Sequence, residues 1–281
     1  MQIDNIEYVE LYPKIHLYKG LLSDTNKLYN IMKKSESESE GKYHLRTWDK
    51  WSVFGTYSQE KTEQDEPGEP GQQYDDEKYL SDKVKKAYKT AIDHYIENVK
   101  PNMPQGYHLA SSSFSKYNKD VISFNQELAM NYHTDFIKSE ADMPGNKFFI
   151  TCTTYINDDY DGGSVEFYIT DTGKKISYKP KAGEILVFPS EEPYYHGVKN
   201  IRNGEKFFIR NFIIYPFDGT KNWLENQKRQ GAFNWMKKEF ERCEYENPRN
   251  MIYLYNDNVI SYEEWDMLQQ NLKKQELENN Q

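Results

Sequence analysis

Cysteine is scarce: the 281-residue chain has two, Cys152 and Cys243, far apart and in no C-x-x-C pair. That excludes a disulfide framework and leaves a thiolate zinc site without ligands. Long apolar runs are missing as well. No stretch reaches the length of a membrane span or of a signal peptide's apolar core, so a soluble, cytoplasmic setting is the expectation. Basic charge is short, with 36 Lys and Arg against 45 Asp and Glu and a formal net charge of −9. Such a balance lacks the electropositive footprint that general binding to a nucleic-acid backbone requires, although a local basic groove stays open. Hydrophobic residues make up only 37% of the chain and mean hydropathy is −0.98.

Aromatics fill the gap, with 24 Tyr, 14 Phe and 5 Trp. Disordered chains are poor in these residues, whereas Tyr and Trp build a core when their polar tips find partners. The length suits one large catalytic domain or a main domain with an appendage.

Residues 6–18 alternate loosely and read as strands, after which Ser23 or Asp24 opens a helix through Leu28, Ile31 and Met32. The Ser-Glu repeat of Ser35–Gly41 and the Glu-, Gln-, Pro- and Gly-rich stretch from Ser58 to Asp76 read as solvated loops. Trp48 and Trp51 between them suit either core packing or a substrate rim. Val84, Ala87, Tyr88, Ala91, Ile92, Tyr95 and Ile96 follow helical spacing over 82–99, and Pro101 ends that helix.

From about Leu109 to Phe217 short aromatic and β-branched runs are divided by Gly, Asn, Asp and Pro, the pattern of a jelly roll or barrel. The runs are 112–117, 122–124, 130–136, 147–156, 164–169, 175–178, 184–188, 194–199 and 206–215. After Gly219 helical spacing returns through Trp223, Phe233, Trp235, Met236 and Phe240. The run Met251–Tyr255 then leads to a last helix opened by the capping box Ser261-Tyr262-Glu263-Glu264. The expected organisation is a 1–108 region of strands and supporting helices, a 109–218 β core and a 219–281 helical extension.

One constellation carries chemistry. If Tyr132–Phe136 is a strand, His133 and Asp135 face the same side. A third ligand is available in His196, after the run Gly183–Phe188. Two histidines and a carboxylate form a facial triad suited to iron(II) and dioxygen, although imidazole also suits zinc. By itself, His133-Thr134-Asp135 is more often a polar pair with no metal. Lys206 stands ten residues past His196 at the start of an apolar strand. It either reaches into solvent or faces inward, and an inward lysine needs an anion. Lys206, Phe208, Arg210 and Phe212 share one strand face, so Arg210 either points inward beside an anionic ligand or pairs with an acid.

The stretch from about Ser115 to Phe217 resembles the catalytic core of the prolyl 4-hydroxylase-like 2-oxoglutarate and iron(II) oxygenases. The resemblance rests on an ordered series: His133-Thr134-Asp135, then Tyr155-Ile156-Asn157-Asp158 and Gly162-Gly163. It continues with the Pro-x-x-Gly-x-x-x-x-Phe segment at 180–188, His196-Gly197-Val198 and Gly204-Glu205-Lys206. It implies a double-stranded β-helix, a distorted jelly roll, with His133, Asp135 and His196 holding Fe(II). Lys206 would bind the distal carboxylate of 2-oxoglutarate, Tyr155 would line that pocket, and Tyr117 resembles a tyrosine that bonds the same carboxylate. The separation of Tyr117 from His133 is longer than the family's usual one, an insertion around 118–127.

The implied reaction is O2-dependent hydroxylation of an unactivated C–H bond with release of succinate and CO2, and ascorbate as an accessory reductant. A peptidyl, prolyl-type substrate is the leading expectation. The alternatives are a small molecule or nucleobase, a non-catalytic metal-binding jelly-roll module, and zinc hydrolysis, which leaves Lys206 without a use.

Overall fold

The computed structural model describes residues 6–38, 47–48, 72–99, 108–109, 113–120, 127–135, 148–214, 251–255 and 258–279. In chain order the elements are β1 (Tyr8–Tyr12), β2 (Ile15–Tyr18), α1 (Thr25–Glu38), β3 (Thr47–Trp48), α2 (Gln72–Val99), β4 (His108–Leu109) and β5 (Ser113–Tyr117). Then come β6 (Leu128–His133), β7 (Phe148–Tyr155), β8 (Asp161–Gly162), β9 (Val165–Ile169), β10 (Lys174–Tyr178), β11 (Ile185–Pro189), β12 (Tyr194–Lys199), β13 (Ile201–Asn203) and β14 (Lys206–Ile214). The hairpin β15 (Tyr253–Tyr255) and β16 (Asn258–Ile260) precedes α3 (Tyr262–Asn279).

Two antiparallel sheets carry the architecture. The major sheet runs β1-β2-β11-β7-β14-β5-β3 with β4 also on β14, and the minor sheet runs β10-β9-β12-β6. Strict alternation sorts the major sheet's two faces. Ile150, Cys152, Ile185, Val187, Phe207, Ile209 and Ile213 point to one side, against Leu28, Ile31 and Met32 of α1 and the apolar stripe of α2. Leu17, Tyr155, Leu186, Phe188 and Phe208 point the other way and pack with Ala129, Val165, Phe167 and Ile169 of the minor sheet. Phe167 and Phe188 meet edge to face across the gap, 4.9 Å between ring centres. Two sheets face to face with helices on one outer surface are the expected distorted jelly roll.

Tyr88 of α2 is buried where helix meets sheet. Its hydroxyl donates to the Ile209 carbonyl at 2.5 Å and accepts from the Thr154 amide at 3.1 Å, tying two central strands together.

The strand readings from 113 to 214 hold to within two residues at each end, apart from 130–136, which the structure shifts to 128–133; the run 122–124 lies outside the described residues. The helices are longer than expected. α1 continues through Ser35–Glu38 and α2 begins at Gln72, so both presumed loops are partly helical. Docking of Leu28, Ile31, Met32, Leu80 and Val84 propagates helix into flanks whose composition alone reads as loop. Trp51 and residues 215–250, including the Trp223–Phe240 helical reading, lie outside the described residues. The last helix has its capping box: Ser261 N–H donates to Glu264 Oε2 at 2.9 Å and Glu264 N–H to Ser261 Oγ at 3.1 Å. Among the described residues no helix is long and apolar enough to cross a membrane.

Candidate active site

His133 ends β6, Asp135 lies two residues beyond, and His196 sits on β12 directly opposite His133 in the pairing of those strands. Close approach is helped by Gly197, where a Cβ would stand 2.8 Å from the Met130 carbonyl oxygen. One ligand atom from each of the three residues falls within 4.8 Å of the others, and all three are buried. His133 Nε2 is 3.5 Å from Asp135 Oδ1, and His196 Nε2 is 3.3 Å from Asp135 Oδ2.

Outer contacts orient each group. His133 Nδ1–H donates to the Asn131 carbonyl at 2.8 Å, which leaves the Nε2 lone pair turned to the cluster. Thr151, on β7 of the facing sheet, donates from Oγ1 to Asp135 Oδ2 at 2.6 Å and contacts Ser190 Oγ at 2.8 Å. Phe188 lies edge-on to the His196 ring, 4.7 Å between centres.

Burial pushes the His196 imidazole down to about 3 against the opposing pull of Asp135, so it is neutral and able to donate a lone pair. Burial alone would raise Asp135, but its neighbours His196, His133 and Arg210, through hydrogen bonding and electrostatic attraction, reverse this and hold it below the ordinary carboxylate range. Two imidazoles converging on a buried carboxylate are a donor set that could hold a divalent cation.

A second cluster sits on the same interior surface. Lys206 is 1% exposed, and its Nζ donates to the Gly163 carbonyl at 2.6 Å. Nζ also lies 5.0 Å from the centre of the Tyr155 ring, 5.8 Å from that of Phe208 and 5.9 Å from that of Tyr160. Among the described residues no carboxylate pairs with it. Burial, with Lys179 adding to it, pushes the ammonium down to about 7. Tyr117 faces Lys206 across the β5–β14 pairing and packs edge-on against Phe208.

Gly163 has φ +67°, and a Cβ there would meet Ile201 and come within 2.8 Å of the Tyr160 ring. Glycine at this point lets the carbonyl reach Lys206.

The structure therefore brings His133, Asp135 and His196 together, with Arg210 near enough to affect the last two, and gathers Lys206, Tyr155 and Tyr117 in a second group. Arg210 is buried and faces inward, its guanidinium 5.4 Å from the Phe212 ring. Sequence reasoning missed Thr151, Ser190 and Tyr160. The Tyr160 hydroxyl is buried without a hydrogen-bond partner among the described residues, a condition no sequence signal reveals. His16 and His94 lie elsewhere, packed with Tyr8, Tyr18 and Tyr95 behind the major sheet.

Residues 120–214 match the family model of the 2OG-Fe(II) oxygenase superfamily, in agreement with the resemblance carried by the motifs. No curated protein matches the chain. Similar solved structures include viral collagen prolyl hydroxylase from Paramecium Bursaria Chlorella virus-1, with 16% identity, 73% of this chain and 97% of that one covered, and a TM-score of 0.45. A Pseudomonas putida prolyl-4-hydroxylase gives 16% identity, 73% and 94% coverage and a TM-score of 0.45. A Trichoplax adhaerens prolyl hydroxylase, in complex with a hypoxia inducible factor oxygen degradation domain peptide fragment, gives 12%, 72% and 84%, and 0.46. With TM-scores below 0.5, these likenesses carry no weight for function.

Proposed function

Starting from residues 120–214 as a 2OG-Fe(II) oxygenase segment, we propose that the chain is a dioxygenase that hydroxylates an unactivated C–H bond on a peptidyl, prolyl-type substrate. The observation that carries this reading is the pairing of two buried clusters on one surface. One offers two imidazoles and a carboxylate; the other offers a cation with no carboxylate of its own among the described residues.

His133, Asp135 and His196 would hold Fe(II), with Thr151 and the Asn131 carbonyl fixing the orientation of Asp135 and His133. Lys206 would take the distal carboxylate of 2-oxoglutarate, with Tyr155 and Tyr117 lining the pocket. Tyr160 adds a hydroxyl that has no partner among the described residues, and an anion arriving there offsets the cost of both buried groups. Fe(II), 2-oxoglutarate and O2 would together supply the oxidant, with succinate and CO2 released. Ascorbate would act as an external reductant that keeps the iron ferrous. Phe167 and Phe188 pack on the His196 ring and Phe208 beside Lys206, giving both clusters an apolar surround.

The peptidyl, prolyl-type substrate rests on the order and spacing of the motifs from His133 to Lys206. A second reading, a small anionic substrate, is favoured by Arg210 beside the His–Asp–His cluster. In this account the 109–218 core carries the chemistry, the 1–108 region supports the outer face through α1 and α2, and 219–281 is an appended unit.

The test is turnover of 2-oxoglutarate by the Fe(II)-loaded chain with a panel of proline-containing peptides, following succinate by NMR and hydroxylation by a mass gain of one oxygen. Peptide-stimulated succinate that vanishes in His196→Ala supports the proposal. A folded, iron-loaded chain that gives only peptide-independent succinate shifts the substrate to the anionic small-molecule reading, and one that gives none at all contradicts the oxygenase itself.

A further inference from the structure

β6 bears His133 at its end and Asp135 just beyond, yet among the described residues it is the terminal strand of the minor sheet, bonded there to β12 alone. An edge strand frays more readily than an interior one. The C-terminal segment closes this edge. Met251 forms an antiparallel bridge with His133, and Ile252 N–H donates to the Tyr132 carbonyl at 3.2 Å. Met251 Sδ accepts from Asn131 Nδ2 at 3.9 Å, and Asn131 is the residue whose carbonyl takes the His133 Nδ1 proton. Ile252 is buried with Tyr132, Tyr168 and Tyr195 on the outer face of the minor sheet. Behind this contact Met251 and Tyr253 pack on Trp265 of α3, the Tyr253 and Trp265 ring centres 5.4 Å apart. A continuous set of contacts thus runs from α3 to the backbone of His133.

We propose that Met251–Tyr255 is a positioning strand for the His133–Asp135–His196 cluster, pinning β6 in the register that turns both imidazoles toward the carboxylate. This gives the C-terminal extension a function and rests on the reading of that cluster as a metal site. The segment touches no reacting group. It acts by suppressing excursions of β6 that would separate His133 from His196, so its loss lowers metal affinity by the fraction of time the strand is open.

The experiment uses the full chain and Mn(II) as a redox-silent probe, measuring the Mn(II) dissociation constant, the Tm of the metal-free protein and amide exchange across 128–133. Ile252→Pro deletes the N–H donor to Tyr132. It should raise the opening constant of β6 about fivefold, the equivalent of one lost net hydrogen bond, read as faster β6 exchange that saturating Mn(II) slows again and as weaker Mn(II) binding. Tyr88→Phe, remote from β6, should lower Tm with Mn(II) affinity unchanged. If Ile252→Pro does not fold, Met251→Ala is read the same way, and Met251→Leu should restore most of the affinity. Variants that lose Tm while Mn(II) affinity and β6 exchange stay at the wild-type values overturn the proposal. A wild-type chain that takes up no Mn(II) overturns the metal reading itself, and the proposal with it.

Discussion

Replacing Lys206 with methionine should stabilise the ligand-free protein while removing its affinity for 2-oxoglutarate. An ammonium that titrates near 7 rather than in the ordinary lysine range carries a burial cost of about 4–5 kcal/mol in its charged form. Solvent penetration and side-chain movement reduce the recoverable part to about 1–4 kcal/mol. The sign follows from proton counts. Between pH 7 and the ordinary lysine range the unfolded chain binds more protons at this site than the folded one, so stability rises with pH through that window. Below pH 7 the folded protein bears the full cost.

Lys206→Met should therefore raise Tm near pH 6.5 by roughly 2–4 °C per kcal/mol recovered, and the gain should shrink as pH climbs toward 10. The same residue sets a pH dependence in the wild type. Binding of the dicarboxylate requires the charged ammonium, so above pH 7 the apparent Kd should weaken roughly tenfold per pH unit until the bound-state titration is reached. The groups facing Nζ do not confuse this reading, because Tyr155 and Tyr160 are both pushed up by burial and stay neutral, while Lys179 is the charge that acts on it among the described residues. Calorimetric titration of the Mn(II)-loaded protein from pH 6 to 9, with scanning calorimetry of both variants, checks each part. A pH-independent Kd, or a Lys206→Met protein that is less stable at pH 6.5, would refute the reasoning.

Other substitutions separate the remaining roles. Thr151→Val removes the donor to Asp135 Oδ2, and Mn(II) affinity should fall about tenfold or more with little change in Tm. Tyr160→Phe should weaken 2-oxoglutarate binding about fivefold, leave 2-oxobutyrate, which lacks the distal carboxylate, unaffected, and slightly stabilise the free protein by deleting a buried hydroxyl with no partner among the described residues. Tyr88→Phe leaves the Ile209 carbonyl and the Thr154 amide short of a partner and should cost about 1–3 kcal/mol in chemical denaturation.

Much of the site was legible because its geometry is local. Lys206, Phe208, Arg210 and Phe212 alternate on β14, so their facing follows from the pleat, whereas His133 ends β6 and Asp135 reaches the cluster from just beyond the strand. The ordered motifs from Tyr155 to Lys206 gave the fold class for the same reason: each is a turn or strand feature readable within ten residues. What could not be read is long-range. Nothing in residues 8–18 says that β2 pairs with β11, or that Met251 crosses back to His133. The Ser-Glu flank of α1 and the start of α2 read as loops because composition reports local propensity, whereas docking on the major sheet decides the outcome. Tyr160 was invisible because its significance is a buried hydroxyl with no partner among the described residues.

The most direct measurement is anaerobic addition of 2-oxoglutarate to the Fe(II)-loaded chain, followed by visible absorbance for the metal-to-ligand charge-transfer band of a chelated keto acid. The account predicts a band that saturates with 2-oxoglutarate, is absent in His133→Ala and demands far more co-substrate in Lys206→Met. A folded, iron-loaded wild-type protein that shows no band at any concentration would contradict it.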